Sequence, residues 1–201
     1  MMIRRWVIGF TVCLSVAATT GCSRSPRVNF YTLAPSAKPV AAASVRAAYA
    51  VAVGPVTLPE FVDRPQLVVR VAANRVDILE TQRWAEPLKN GIPRLVAENL
   101  SRLLGTERVS SYPQNAGGDA DYRVLLDIQR FESMPGESVT VEAFWTIRRT
   151  AGETTKTGLT VVREPVASGS YDALVAAYSQ ALVTVSSDIA QAIRSEESVA
   201  H

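Results

Sequence analysis

The first 22 residues constrain this chain more than any other stretch, because they predict where the rest of it must fold. Arg4 and Arg5 precede an apolar run from Trp6 to Ala18. A run of this length is too short to span a bilayer and is typical of a secretory signal. The small residues Thr19 to Gly21 lead directly to Cys22, as in bacterial lipoproteins, where the cysteine is acylated and becomes the first mature residue. The remaining chain must therefore fold as a soluble domain held at a membrane surface.

Residues 1–21 are thus assigned to a lipoprotein-type signal peptide, and residues 22–28 to the lipidated cysteine and a short tether. Thr19 stands where such signals usually have Leu, so an ordinary cleaved signal peptide or an uncleaved anchor are the alternatives. The first predicted strand begins about seven residues after Cys22. At about 3.4 Å per extended residue, the domain is expected within roughly 25 Å of the lipid surface.

Charge and cysteine content exclude several functions for the mature chain. Removing Arg4 and Arg5 with the signal lowers Lys+Arg from 21 to 19, equal to the 19 Asp+Glu. A neutral chain without a basic stripe does not predict nucleic-acid binding. Cys13 is lost with the signal and Cys22 is acylated, so no thiol remains for a disulfide, a zinc site or a nucleophile. No later stretch is expected to span a membrane.

The residues needed for common catalytic sites are also missing from the sequence. The one histidine is His201, at the last position, where a general base would not be held in place. No glycine-rich phosphate loop is present. A pair of carboxylates could still meet in space as in a glycosidase, so that chemistry stays open. We therefore expect no enzyme activity, no metal site and no cofactor apart from the covalent lipid on Cys22.

Alternation of apolar residues predicts a strand-rich fold. Two segments form a predicted hairpin around Asn74, and the last three strands form a predicted antiparallel meander with one buried face. Gly54-Pro55 is expected to end the second strand. The predicted strands are 29–33, 49–53, 66–71, 75–79, 108–110, 122–128, 139–147 and 156–163.

Two amphipathic helices are predicted from apolar residues at helical spacing. The first helix ends at Gly105 and contains Pro93, so it either begins at Glu86-Pro87 and kinks, which we favour, or begins near Asn90-Gly91. The second helix covers about residues 170–194, and residues 196–201 are expected to fray. The prediction is a single α+β domain over residues 29–195, in which a mostly antiparallel or mixed sheet carries both helices on one face.

One segment has the composition of a protein-binding site. Arg83 and Trp84 lie at the predicted entry to the first helix, and Trp and Arg are common anchors of interfaces. Together with Leu58, Phe61 and Arg64 of a nearby turn region, they form a hypothetical partner-binding corner. The alternative interpretation is a Trp that packs in the core beside a solvated ion pair.

Several of these segments, in this order and spacing, resemble one known family, the PqiC-type ABC-transport auxiliary lipoproteins that accompany MCE-domain lipid-transport systems. The similarity covers nearly all of the mature chain. The segments that carry it are Phe30-Tyr31-Thr32-Leu33, Val53-Gly54-Pro55-Val56, Leu58-Pro59, Asp63-Arg64-Pro65-Gln66, Asn74-Arg75-Val76 and Arg83-Trp84-Ala85-Glu86-Pro87-Leu88.

This resemblance implies an outer-membrane lipoprotein that faces the periplasm and has no catalytic activity. Its partner would be an MCE-domain protein that moves phospholipid or other hydrophobic molecules, and a homo-oligomer is compatible with it. Ser23 after the cysteine fits sorting to the outer membrane. The competing classes are a structural lipoprotein that ties layers of the envelope together and, less favoured, a lipid-anchored envelope hydrolase.

Overall fold

The computed structural model describes residues 25–35, 47–112, 119–151 and 154–200, so the signal sequence and Cys22 lie outside the described residues. Within these ranges the chain forms eight strands and two helices. The strands are β1 Asn29–Tyr31, β2 Val51–Thr57, β3 Gln66–Ala72, β4 Arg75–Trp84, β5 Val109–Ser111, β6 Tyr122–Met134, β7 Ser138–Arg149 and β8 Thr155–Pro165. The helices are α1 Leu88–Leu104 and α2 Tyr171–Ala200. The predicted α+β fold is confirmed.

The strands form two sheets, one of five strands in the order β5-β2-β6-β7-β8 and one of three in the order β1-β4-β3. The predicted hairpin β3–β4 and the predicted meander β6–β7–β8 are both antiparallel, as expected. β2 is parallel to both β5 and β6, which makes the larger sheet mixed. The turn between β6 and β7 closes with a bond from Glu137 N to Met134 O of 3.0 Å, and Gly136 has the positive φ of 72° that this turn requires.

The prediction that Gly54-Pro55 ends the second strand is wrong. β2 continues to Thr57 because its pairing with β6 shifts register between Val53 and Val56, so the proline, which has no N–H, sits in a bulge. Gly54 has φ of 103°, and a Cβ there would lie 2.7 Å from Tyr112 Cβ. Only glycine fits this position.

The buried face of the meander is the one that the alternation predicts. Side chains from β6 and β7, including Val124, Ile128, Val141 and Ile147, are fully buried. α2 packs on β7 and β8, and α1 packs on β2 and β5. β8 approaches this layer at Gly158, where a Cβ would lie 2.1 Å from Trp145 Cζ2. The Trp145 indole covers the space that a side chain at this position would occupy.

α1 begins early, as favoured from the sequence, with Pro87 as its N-terminal cap and Pro93 inside it. The N–H groups of Asn90 and Gly91 both donate to Pro87 O, at 2.9 and 3.0 Å. The helix ends at Gly105, which has φ of 68°. The kink at Pro93 stays a prediction.

α2 is longer than predicted, since it continues through Ala200 and residues 196–200 do not fray. Polar contacts to the sheet hold this end of α2. The Tyr122 hydroxyl donates to Glu197, Arg149 faces Glu197 at 3.5 Å, and Lys156 faces Glu196 at 3.9 Å.

Contrary to expectation, a stretch of α2 from Tyr171 to Ser198 is long and apolar enough to cross a membrane, with mean hydropathy of 1.2. In the most apolar window of 18 residues within it, 67% of the residues are buried in the fold, so the stretch acts as the core helix of the domain.

Candidate functional site

The residues of the predicted partner-binding corner lie on two segments of the chain. Leu58, Phe61 and Arg64 lie in the turn region before β3, and Arg83 and Trp84 lie at the end of β4. Trp84 N donates to Pro65 O at 2.7 Å, which joins the end of β4 to the turn region before β3. Ala85 N donates to Tyr31 O at 2.8 Å, which joins the same point to β1. α1 starts three residues later. These bonds join the end of β4 to the turn region before β3 and to the strand that follows the tether, and the grouping of all five residues into one surface stays a prediction.

The Trp84 side chain is buried, with 7% of its surface exposed. Its ring lies 6.4 Å from the Phe131 ring and 6.2 Å from the Tyr178 ring, measured between centroids. Phe131 belongs to β6 and Tyr178 to α2, so Trp84 connects the hairpin to the main core. This burial contradicts the idea that Trp84 itself anchors a partner in the folded chain and supports the alternative of a packed Trp.

The charged neighbours of Trp84 do not form the ion pair suggested by the sequence. Arg83 pairs with Glu80 at 3.2 Å, and its Nε donates to Glu80 O at 2.9 Å. Glu86 pairs with Arg94 at 2.6 Å. Arg94 also donates to Leu33 O at 2.9 Å, so it fixes the segment after β1 against α1. Sequence analysis missed Arg94 because its partners lie 8 and 61 positions away.

The turn region from Leu58 to Arg64 supplies the exposed part of the corner. Val62 N donates to Pro59 O at 3.1 Å, and the Val62 side chain is buried, which holds the turn on the core. Phe61, with 38% of its surface exposed, points outward. Asp63 is paired with Lys89 of α1 at 2.6 Å.

Arg64 carries a polar atom whose hydrogen-bonding capacity is not used. Its Nε is buried and has no hydrogen-bond partner within the described residues. A buried donor without a partner costs free energy unless water or another molecule satisfies it. Phe61 is therefore the residue of this turn that offers an exposed aromatic ring, while Arg64 is half-buried and its Nε has no partner among the described residues.

Next to the corner, the hairpin is tied to β6 by a second charged group. Glu132 accepts bonds from Arg70 at 2.7 and 3.2 Å and from Arg130 at 3.2 Å. Burial alone would raise the pKa of this carboxyl, but the bonds and charges of the two arginines outweigh burial and lower it. On the α2 side, burial raises the pKa of the Tyr178 hydroxyl well above its ordinary value, so this hydroxyl is neutral.

A groove of about 610 Å³ lies on the other side of β1, between Phe30, the end of β8 at Pro165 and the first turns of α2. Small and apolar side chains such as Ala173, Val175 and Ala176 line much of it. Asp172 and Glu164 add two carboxylates. The groove and the corner flank the same short strand, β1.

We also searched the described residues for catalytic and metal sites. They contain no group of three or more His, Cys, Asp or Glu side chains that could hold a metal ion. Lys156 Nζ lies 2.5 Å from Ser195 Oγ, a pairing used by some hydrolases. Here the Ser195 hydroxyl donates to Ala192 O at 2.7 Å and the ammonium faces Glu196, so the lysine acts as a donor to the serine oxygen. This arrangement favours a structural role.

Comparison with known proteins places this geometry in a family. Residues 31–190 match the family model of the ABC-type transport auxiliary lipoprotein component. The crystal structure of the Xanthomonas campestris protein XCC0632, from the family DUF330, superposes with a TM-score of 0.66 at 18% identity, covering 88% of this chain and 100% of that chain. The crystal structure of an uncharacterized protein gives a TM-score of 0.69 at 17% identity, covering 84% and 99%. At these identities the two structures show the fold alone. A search of curated proteins gives no significant match.

Proposed function

We propose, because this chain belongs to the family of ABC-type transport auxiliary lipoprotein components, that it is a non-catalytic outer-membrane lipoprotein of an MCE-type transport system. It docks the MCE-domain protein at the outer membrane, while that protein moves phospholipid or another hydrophobic molecule across the periplasm. The observation that carries the proposal is the family match over residues 31–190, nearly the whole of the expected mature domain.

The position of the corner supports a docking role near the membrane. The tether expected after Cys22 enters the fold at Asn29, in β1, whose residues pair with Gln82 to Trp84 of β4. Surfaces around β4 are therefore held close to the lipid anchor, where a protein that spans the envelope must arrive. The side chains offered to a partner there are those of Phe61, Arg64 and Arg83, and Leu58 is half-buried against the core. Trp84 supports this surface from below.

The test is capture of the full-length lipoprotein from envelope extracts, with the amount of co-purified MCE-domain protein measured by mass spectrometry. Truncating an interface hot spot commonly costs about 2 kcal/mol, so Phe61→Ala and Arg64→Ala are each expected to reduce the captured MCE protein at least tenfold. Phe144→Ala is the matched control, because Phe144 is an aromatic residue of nearly equal exposure, 37%, on the five-stranded sheet.

The transport role and the location of the docking surface can be contradicted separately. Capture of no MCE-domain protein by the wild-type chain would overturn the transport role and favour the structural envelope tether. Equal capture by the wild type and by folded Phe61→Ala and Arg64→Ala variants would leave the role intact and move the docking surface away from the corner.

A further inference from the structure

β8 is the edge of the five-stranded sheet, and the hydrogen bonds at its two ends fix which of its backbone groups face outward. Arg149 N donates to Thr154 O at 2.9 Å, and Val166 N donates to Glu137 O at 3.0 Å. Directly opposed residues of an antiparallel ladder exchange bonds at every second pair. The even-numbered residues of β8 therefore bond to β7. The odd-numbered residues, from Thr155 to Arg163, direct their N–H and C=O groups to the open edge.

The side chains of this edge are unusually apolar on the face away from the helices. Leu159 and Val161 have 54% and 59% of their surfaces exposed, the highest values among large aliphatic residues of the described chain. β8 has 11 residues, and within the described ranges only β7 pairs with it. Long apolar edges are normally shortened, charged or covered, since they are templates for strand pairing. Pro165, whose nitrogen faces the edge by the same alternation, limits the available template to residues 155–163.

We propose that this edge pairs with β8 of a second copy of the chain, antiparallel and centred on Thr160. In this register Leu159 of each copy lies opposite Val161 of the other, and Thr157 lies opposite Arg163. All four residues have outward N–H and C=O groups, so the two copies form about eight main-chain hydrogen bonds. Both exposed aliphatic side chains gain a cross-strand apolar partner.

Charge complementarity supports the same register. On the helix side of the sheet, Lys156 of one copy lies opposite Glu164 of the other, once at each end of the paired segment. Lys156 already faces Glu196 of its own chain at 3.9 Å, so this carboxylate would be its second. Cross-strand pairs of opposite charge are favourable, whereas like charges directly opposite are not. No charged residue of β8 opposes a like charge in this arrangement.

The neighbouring antiparallel registers fit less well. A shift of two residues in one direction places Lys156 opposite Val162 and loses the charge pair. A shift in the other direction places Leu159 opposite Arg163 and brings Pro165, which has no N–H, opposite Thr157. Centring on Thr160 is the register that keeps the apolar pairs, the charge pairs and the full set of bonds.

Both copies can be anchored in the same membrane when the paired β8 strands lie parallel to it. Phe30 and Pro165 line the same groove, so the tether enters near the carboxyl end of β8. The two Pro165 residues of the pair are ten residues apart along antiparallel strands, or about 33 Å. Both tethers of about seven residues, reaching roughly 24 Å each, meet one membrane when the β8 axis lies parallel to it.

Cysteine cross-linking in cells tests the register on the full-length lipoprotein. Two directly opposed residues of a bonded antiparallel pair have Cα atoms about 5.5 Å apart, within the range of a disulfide. We expect a cross-linked dimer when Leu159→Cys and Val161→Cys chains are co-expressed, and none when Leu159→Cys is co-expressed with Phe144→Cys, which lies on β7. A stronger cross-link with either edge variant expressed alone would place the register elsewhere and overturn this pairing.

The oligomeric state tests the interface without new thiols. Leu159→Lys with Val161→Lys adds charge to the edge and leaves the bonds to β7 in place, so the extracted protein is expected to change from dimer to monomer with unchanged circular dichroism. Phe144→Lys is the control and should stay dimeric. A monomeric wild type, or an unchanged mass of the double variant, would overturn the proposal. None of these outcomes depends on the docking function proposed above.

Discussion

The Tyr178 ring stacks on the Phe131 ring, with 4.0 Å between the centroids and 9° between the planes. This contact joins the first half of α2 to the end of β6, and the Trp84 ring packs against both rings at a tilt. The three aromatic residues come from the hairpin, the meander and the second helix. The hairpin sheet is thus attached to the main core at this cluster.

Truncating Trp84 should therefore destabilise the domain. Trp84→Ala removes a side chain that is 93% buried and leaves a cavity, and such changes cost about 3–5 kcal/mol of the free energy of unfolding. Denaturant unfolding of the chain from Ser23 onward measures this loss. Phe61→Ala, in the same corner but exposed, should change it by less than about 1 kcal/mol. Equal effects of the two variants would contradict the placement of Trp84 in the core.

Charge introduced between the helices and the sheet should be poorly tolerated. Leu100 of α1 and Leu182 of α2 are fully buried, so Leu100→Asp or Leu182→Asp would bury an unpaired carboxylate. We expect each variant to lose several kcal/mol of stability and to melt at a clearly lower temperature. Ile78→Asp is the control, because Ile78 is exposed on β4. An unchanged melting temperature for either leucine variant would show that the buried face is wrongly assigned.

The Glu132 carboxylate should make stability depend on acid. Its pKa in the folded chain is lowered by Arg70 and Arg130, so the unfolded chain binds its proton more readily. The resulting stabilisation is present above the unfolded pKa, near 4.5, and is lost as pH falls through the lower folded value. Glu132→Gln should therefore be less stable than wild type at pH 7, with part of that difference disappearing in acid.

Unfolding free energies measured from pH 7 down to pH 2.5 for both chains check this dependence. Glu60→Gln, which makes the same chemical change on the exposed turn before β3, serves as the control. A difference between Glu132→Gln and wild type that is constant with pH would mean that the two arginines do not stabilise the charged form.

Lipid attachment is predicted at Cys22, which lies outside the described residues. Cys22→Ala should abolish fatty-acid labelling and leave the precursor unprocessed, because Cys22 is the cysteine that follows small residues at the end of the apolar run. A cysteine with more than one acyl chain is held far more firmly than one with a single chain, so loss of labelling should also release the protein from membranes. Cys13→Ala should be labelled normally. Labelling of Cys22→Ala at the wild-type level would contradict the assignment.

The sequence grouped Leu58, Phe61, Arg64, Arg83 and Trp84 as a partner-binding corner, and this grouping stays a prediction. The structure does show that Trp84 is buried. Composition at Trp84 could not separate an interface anchor from a core residue, because a large aromatic side chain suits both environments. The open edge at β8 was missed, although Leu159 and Val161 alternate with Thr160 and Val162. The available signal was that apolar residues occur on both faces of this strand. The sequence analysis did not use it, because it predicted a meander with only one buried face.

The sequence by itself determined the elements whose pattern is local. Apolar spacing defined both helices and the meander, and Gly105 ended α1 as expected, since periodicity and capping depend on neighbours within a few residues. Tertiary structure alone decided that β1 lies parallel to β4, that β2 runs through a bulge between β5 and β6, and that polar contacts hold α2 beyond Arg194. Each of these rests on partners about 40 or more positions apart. Their pairing depends on how whole elements pack, which no local pattern encodes.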